Sequence, residues 1–311
     1  MENQKNFIKH PAVLCTFALL CCALWGSAFP MIKIGYAQFQ IPADSPASQI
    51  LFAGIRFTIA GILAILIGSI AAKKPLIPGK KALPKVFVLS LLQTVIQYIF
   101  FYIGLANTTG VKSSIINGSG VFWTILAAVV VYRMEKFNTQ KVLGCLMGFA
   151  GVVLINLEKG GMDFSFTLIG EGFILISSIS SALSTGAVKR FSKGENPVML
   201  AGWQFFLGGL VMTVCGLCLG GTLPQVTVGG IATLGWLSFV SACAYSLWSM
   251  LLKYHPVSNV AIFGVTRPLF GVALSAMLLN EVQNFSWMTV AALFLVTAGI
   301  AILYLKPRKQ E

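Results

Sequence analysis

Two arginines stand inside long apolar runs, Arg56 within residues 47–72 and Arg267 within residues 258–280. A charged side chain at the centre of a membrane-spanning helix costs about 2.5–3.5 kcal/mol on insertion scales, so it persists mainly where it faces a wet cavity. Each arginine lies about ten residues from one end of its run, roughly 15 Å along a helix at 1.5 Å per residue, which is near mid-membrane. The planar guanidinium fork matches a carboxylate or a phosphate, so an anionic or zwitterionic ligand suits it. Pro268, beside Arg267, removes a backbone donor and loosens the helix there. The competing reading is structural: either arginine pairs with backbone carbonyls or with Glu171 and locks helices together. For Arg56 that reading is the favoured one, on the expectation that its helix is peripheral.

Polar and aromatic residues gather in some apolar runs and are almost missing from others. The candidate binding residues are Trp25, Tyr98, Tyr102, Asn117, Trp123, Ser181, Tyr245, Trp248 and Arg267, with Arg56, Glu171 and Gln204 as coupling or structural groups. Tyr98 and Tyr102, four apart, share one helix face. Glu171 is a proton-coupling carboxylate or a simple acid at a helix N-terminus, where the dipole favours it. Trp25, Trp123 and the serines serve equally well as packing residues. Hydrolysis or metal chemistry needs a nucleophile with a base, or clustered ligands. The chain offers only His10 and His255, both at membrane edges, and no paired mid-membrane carboxylates. No cofactor or metal is expected. Cys215 and Cys218 form a CxxC, but without a strand-turn-helix context they read as helix packing.

The elements that position these groups follow from composition. Of 311 residues, 57% are hydrophobic and 10% charged, against roughly 25% charged in soluble domains. Runs longer than the ~20 residues needed to cross a bilayer recur along the chain. They predict an all-α integral membrane protein with ten helices at about 12–35, 47–72, 82–106, 111–132, 137–157, 167–188, 197–220, 226–252, 258–280 and 285–305. By the distribution of polar groups, helices 1, 3, 4, 6, 8 and 9 line a central cavity, and helices 5 and 10 face lipid. The net charge of +13 is not a nucleic-acid footprint, because the basic residues cluster in alternate short connections. Lys73, Lys74, Lys80, Lys81 and Lys85, then Arg133, Lys136 and Lys141, then Lys189, Arg190 and Lys193, then Lys306, Arg308 and Lys309 follow the positive-inside rule. Both termini are thereby assigned to the cytoplasm and the chain to the cytoplasmic membrane. The first run is too long for the core of a cleaved signal peptide and is read as helix 1.

Residues Ala53-Gly54-Ile55-Arg56-Phe57 match Ala201-Gly202-Trp203-Gln204-Phe205 at an offset of 148, with Gly61 falling on Gly209. At an offset of 146, Val111 falls on Val257 and Glu135 on Glu281. Helices 1–5 (residues 1–157) therefore read as duplicated in helices 6–10 (residues 158–311). An odd number of crossings per half makes the copies run in opposite directions, as in transporters built from inverted repeats around a central cavity. Glu135 and Glu281 read as helix-turn anchors first and gates second. Gly144-x3-Gly148 and Gly216-x3-Gly220 predict close helix approach, with a dimer face as the other reading.

With the Leu24-Trp25-Gly26-Ser27-Ala28-Phe29 opening, Arg56-Phe57 and the paired acidic turns, the chain resembles the drug/metabolite transporter superfamily, in its ten-helix branch with two EamA-type repeats. The acidic turns depart from the family pattern, reading Met134-Glu135 and Asn280-Glu281 where Gly usually precedes Glu. Members of that superfamily move metabolites, amino acids or drugs, so the resemblance implies transport without naming a substrate. The chain is read as a secondary transporter that works by alternating access, moving an amino acid or related metabolite outward, with proton or solute counter-transport. Uptake or exchange of an organic phosphate is the alternative, and a membrane-embedded enzyme, receptor or channel is weaker still. The partners expected are the lipid bilayer and a small-molecule solute, in a monomer or weak dimer.

Overall fold

The computed structural model describes residues 8–42, 44–108, 116–157, 167–278 and scattered positions between 291 and 302. Glu281 and most of the predicted tenth helix lie outside the described residues. Those described form helices and connections, with no strand among them. The helices are α1 (Pro11–Phe39), α2 (Pro46–Ala72), α3 (Leu83–Ala106), α4 (Ile116–Val131), α5 (Thr139–Leu157), α6 (Leu168–Phe191), α7 (Pro197–Cys218), α8 (Val228–Tyr254) and α9 (257–278). Among the described residues, six of them (α1, α2, α3, α6, α7 and α8) are long and apolar enough to cross a membrane.

Local chemistry sets the helix starts. Pro11, Pro46 and Pro197 occupy first-turn positions, where the missing N–H costs nothing. Side chains satisfy donors that the first turn leaves open. Asn196 Oδ1 accepts from the amides of Val198 and Met199 at 2.9 and 3.2 Å, and Thr227 Oγ1 accepts from Gly230 N at 2.9 Å. Four helices depart from regular α geometry: Ser90–Ile96 in α3, Ala127–Val131 in α4 and Leu168–Gly172 in α6 are π-helical, and Ile262–Thr266 in α9 is a 3₁₀ turn. The 3₁₀ turn ends at Arg267, as expected where the ring of Pro268 would crowd the carbonyl of Gly264.

The centre of the bundle is the antiparallel pair α2 and α7. Gly54, Gly61 and Gly68 recur every seven residues on α2, and Gly202, Gly209 and Gly216 do so on α7. Seven residues are close to two turns, so each set forms one stripe. A Cβ on Gly54 would overlap Thr213, and one on Gly202 would stand 2.8 Å from Ile65. One on Gly61 would overlap Phe206, and one on Gly209 would overlap Thr58. Shifting the residues of the first contact of each pair by 148 turns it into the second with the helices exchanged. Phe57 and Phe205, equivalent under the same shift, stack face to face with centroids 5.1 Å apart and planes 5° from parallel. The expectation that helix 2 sits peripherally is corrected here, since α2 is central and Arg56 is only 4% exposed. Gly216 and Gly148 likewise have neighbours within the chain, Leu51 and Val265.

The largest apolar cluster joins α1, α3, α7, α8 and α9 toward the end that bears the basic connections, with Leu14, Val86, Leu89, Leu200, Leu251, Leu252, Val257 and Val260 all nearly inaccessible. Polar ties close that end. Lys85 pairs with Glu195 at 2.6 Å, and Lys189 Nζ donates to His255 O at 2.6 Å. Glu135, in the turn between α4 and α5, accepts from Lys141 Nζ at 2.7 Å and from the amide and hydroxyl of Ser258 at the start of α9. Burial alone would raise the Glu135 carboxyl pKa, but Lys141 and Ser258 outweigh burial and hold it below the ordinary value.

Two stability tests follow. Gly61→Val should destabilise the protein by about 1–3 kcal/mol or more, because two backbones must part. Gly79→Ala, with nothing within 4 Å of the added carbon, should leave the melting temperature in detergent unchanged. For Glu135 the folded pKa is depressed, so its contribution is fully present above the unfolded value of about 4.3 and disappears as pH falls through the folded value. Melting curves from pH 7 to pH 3 should show Glu135→Gln flattening the acid limb; an unchanged limb would count against the tie to Ser258.

Candidate functional site

Next to the α2–α7 seam, α1, α3, α8 and α9 bring together side chains far apart in sequence. Gly26 lets α1 approach α9 closely, since a Cβ there would lie 2.5 Å from Phe270 Cβ and 2.9 Å from Gly271 N. That approach sets Trp25 against Arg267, whose Cζ lies 3.9 Å from the Trp25 ring centroid and 5.1 Å from that of Trp248. Trp25 packs edge-on against both Tyr245 and Trp248, with centroids 5.0 Å apart in each case. Trp248 and Tyr245, three apart on α8, project to the same side.

The positive charge of Arg267 thus rests on two indole faces, an arrangement that contributes about 2 kcal/mol or more when desolvated. It is not neutralised, however. Among the described residues no oxygen accepts a hydrogen bond from its guanidinium, and Arg267 Nε and Trp25 Nε1 are both buried without a partner. Buried donors are costly to leave unpaired, so these two mark a place where an acceptor is missing. The ion pairs described, Lys85–Glu195 and Lys141–Glu135, lie elsewhere.

Tyr98 of α3 meets Tyr245 hydroxyl to hydroxyl at 2.8 Å, and its ring lies 4.5 Å from Phe57. The two tyrosines are 147 residues apart, one fewer than the offset that relates Phe57 to Phe205. Tyr102 is buried 6.3 Å from Tyr98, bearing out their shared face. Arg56 Nε and Nη2 donate to Ser241 Oγ at 3.2 and 2.9 Å, and Gln204 Oε1 accepts from Thr94 Oγ1 at 2.7 Å.

Of the sequence-derived candidates, Trp25, Tyr98, Tyr102, Tyr245, Trp248 and Arg267 form one connected cluster, with Arg56 and Gln204 on its seam side. The others are placed apart from it. Asn117 is exposed at the start of α4, where its Oδ1 accepts from Ser178 at 3.3 Å. Trp123 donates to Ser119 Oγ in its own helix at 3.1 Å. Ser181 is half-buried, and its carbonyl takes the hydroxyls of Ser184 and Thr185. Glu171 does not pair with either arginine; its carboxylate accepts from the amide and hydroxyl of Thr167, both at 2.7 Å, and from the Thr108 hydroxyl. Phe57 and Phe205 were missed as site residues, although the Ala53–Phe57 match to Ala201–Phe205 contained both. Their helices, α2 and α7, carry few polar groups and so escaped a search based on polarity.

A bundle of long apolar helices around a buried cationic and aromatic cluster defines a multi-pass membrane protein with a polar interior. Residues 13–157 and 168–305 match the EamA-like transporter family, to which the chain belongs. It is 28% identical to an uncharacterized transporter of Archaeoglobus fulgidus over 92% of this chain and 97% of that protein. It is 27% identical to the uncharacterized transporter YvbV of Bacillus subtilis, covering 96% and 93%. A probable amino-acid metabolite efflux pump of Salmonella typhimurium is 25% identical, covering 92% of each. A solved crystal structure shares the fold, with a TM-score of 0.72 at 15% identity over 91% of this chain and 98% of that one. The family and these relatives are transporters, not enzymes.

The hydroxyl pair can be checked by mutation. Tyr98→Phe should cost about 1 kcal/mol of stability, and Tyr98→Phe combined with Tyr245→Phe should cost no more than the single change, because the second removes the orphaned hydroxyl. Additive losses in thermal melts would mean that the two hydroxyls are not partners.

Proposed function

We propose that the protein is a secondary active transporter that exports a small organic solute with an acidic group, an amino acid or related metabolite, across the cytoplasmic membrane. The observation that carries this reading is the Arg267 guanidinium, held between Trp25 and Trp248 inside an apolar bundle with no oxygen acceptor among the described residues. A solute carboxylate there would complete the missing hydrogen bonds in a low-dielectric site, where charge-assisted bonds are strongest. Tyr98, Tyr245 and Trp248 flank that position, and Tyr102, Asn117, Trp123 and Ser181 are further contacts along the pathway.

The reading takes the chain as ten helices in two inverted repeats, 1–157 and 158–311, with both termini cytoplasmic. The reciprocal contacts of α2 and α7 support it, as does the meeting of equivalent residues at Phe57–Phe205. Such a frame has two mirror-related arrangements of similar energy, which alternating access requires. Proton or solute counter-transport supplies the driving force. Export is favoured by the name of the Salmonella typhimurium relative.

Counterflow in proteoliposomes, with a panel of amino acids, sugar phosphates and cationic drugs and with or without a pH gradient, tests the reading. An acidic solute should exchange. Arg267→Ala should lower its rate by about two orders of magnitude, the loss expected when a charged partner in a buried pair is removed. Full activity in that variant removes Arg267 from the site.

A further inference from the structure

The 148-residue shift carries Arg56 onto Gln204, and the structure gives both side chains the same task. Arg56 is tied to the Ser241 hydroxyl of α8, and Gln204 to the Thr94 hydroxyl of α3. Ser241 and Thr94 are themselves separated by 147 residues, the spacing of Tyr98 and Tyr245. Gln204, fully inaccessible, is therefore an internal control. A neutral amide at this point in the fold binds the neighbouring hydroxyl through Oε1, with its Nε2 buried and unpartnered among the described residues, so holding that hydroxyl does not require the positive charge of Arg56.

Nothing described neutralises that charge. The acids with described side chains are Asp44, exposed at a helix start; Glu135, paired with Lys141; Glu195, paired with Lys85; and Glu171, held by Thr108 and Thr167. Arg56 spends Nε and Nη2 on Ser241 and leaves Nη1 without a protein acceptor among the described residues. Ser241, which binds Arg56, stands one helical turn before Tyr245 on α8, and the Tyr245 ring packs 5.0 Å from Trp25, the ring against which Arg267 lies at 3.9 Å. Two like charges thus flank one tyrosine in a medium that screens them poorly.

We infer that Arg56 determines the charge of the solute, and that the site takes a small organic dianion, a dicarboxylate or a phosphomonoester, with one acidic edge toward Arg267 and the other toward Arg56. The inference rests on the reading above that Arg267 receives an acidic group of the solute, and it narrows that solute from amino acids at large to a related metabolite with two negative charges. A monoanion leaves one guanidinium unmatched. A zwitterion adds a cation where two already stand.

Purified full-length protein in proteoliposomes supplies the test, with succinate, glycerol 3-phosphate, lactate and leucine as probes for counterflow. The better of the two dianions should exceed lactate and leucine by about tenfold or more, one charge-assisted pair being lost with the monoanion. Which dianion leads separates the carboxylate source from the phosphate source. Arg56→Gln, which copies the residue of the other half, should melt at the wild-type temperature and bring the dianion-to-lactate ratio to within about twofold, the charge match being gone. Arg56→Lys keeps the charge and should keep the preference, so a folding defect in the glutamine variant does not shelter the idea. A wild-type ratio in Arg56→Gln, or leucine or lactate exchanging faster than both dianions, overturns the dianion inference and leaves transport through Arg267 standing. No counterflow with any probe, or full counterflow in Arg267→Gln, overturns both.

Discussion

Backbone-to-backbone contact between α2 and α7 is the constraint on which the rest of the architecture depends. Lipid tails are as apolar as leucine, so helices in a bilayer gain little by hiding hydrophobic surface from one another; they associate through close packing and interhelical polar contacts. Glycine stripes on both helices supply the closest packing available, and each glycine meets backbone or Cβ atoms of the opposite helix. Once that seam is set, Phe57 and Phe205 stack on each other, and α3 and α8 are brought near enough for Tyr98 to pack on Phe57, Tyr245 on Phe205, and the two tyrosine hydroxyls to meet. Arg56, two residues and so about 200° around α2 from Gly54, faces away from the glycine stripe and is buried against α8, where it donates to Ser241 and its carbonyl accepts from Ser238.

The seam leaves no room for large side chains, but beside it the aromatic residues create a different environment. Indole and phenol rings offer polarisable faces to a cation without neutralising it. Arg267 can therefore be desolvated on two sides while its donors stay unspent, which an acidic neighbour would not allow. A carboxylate within the cluster would occupy the fork permanently and leave nothing for a ligand. The acids that are described hold turns and connections instead: Glu135 spans from the α4–α5 turn to the start of α9, and Glu195 joins two lysines near the basic end through its side chain and its carbonyl.

Much of this was legible in the chain itself. In hydrocarbon every backbone amide must be satisfied within its own segment, so a run of sufficient length and apolarity becomes a helix whatever its neighbours are. The placement of the runs that form α1 to α9, the basic connections and the offset of 148 residues are properties of this local kind, and so was the cationic character of the interior, because only two arginines interrupt the runs. The structure bore out the grouping of Tyr98 with Tyr102 for the same reason, a fixed spacing on one helix face. It corrected the peripheral placement of helix 2, because polarity records what a helix can hydrogen-bond and not how closely its backbone can be approached.

Partnership across helices was decided by tertiary structure alone. That Arg267 lies on Trp25 and Trp248, that Arg56 answers Ser241 while Gln204 answers Thr94, and that Trp123 and Asn117 stand away from the cluster depend on how each helix is rotated about its axis and which neighbour it meets. Residue type and depth in the membrane carry no such information. The sequence by itself determined what kinds of groups the interior would hold; the packing of glycine against backbone, summed over helices distant in the chain, decided which of them face one another.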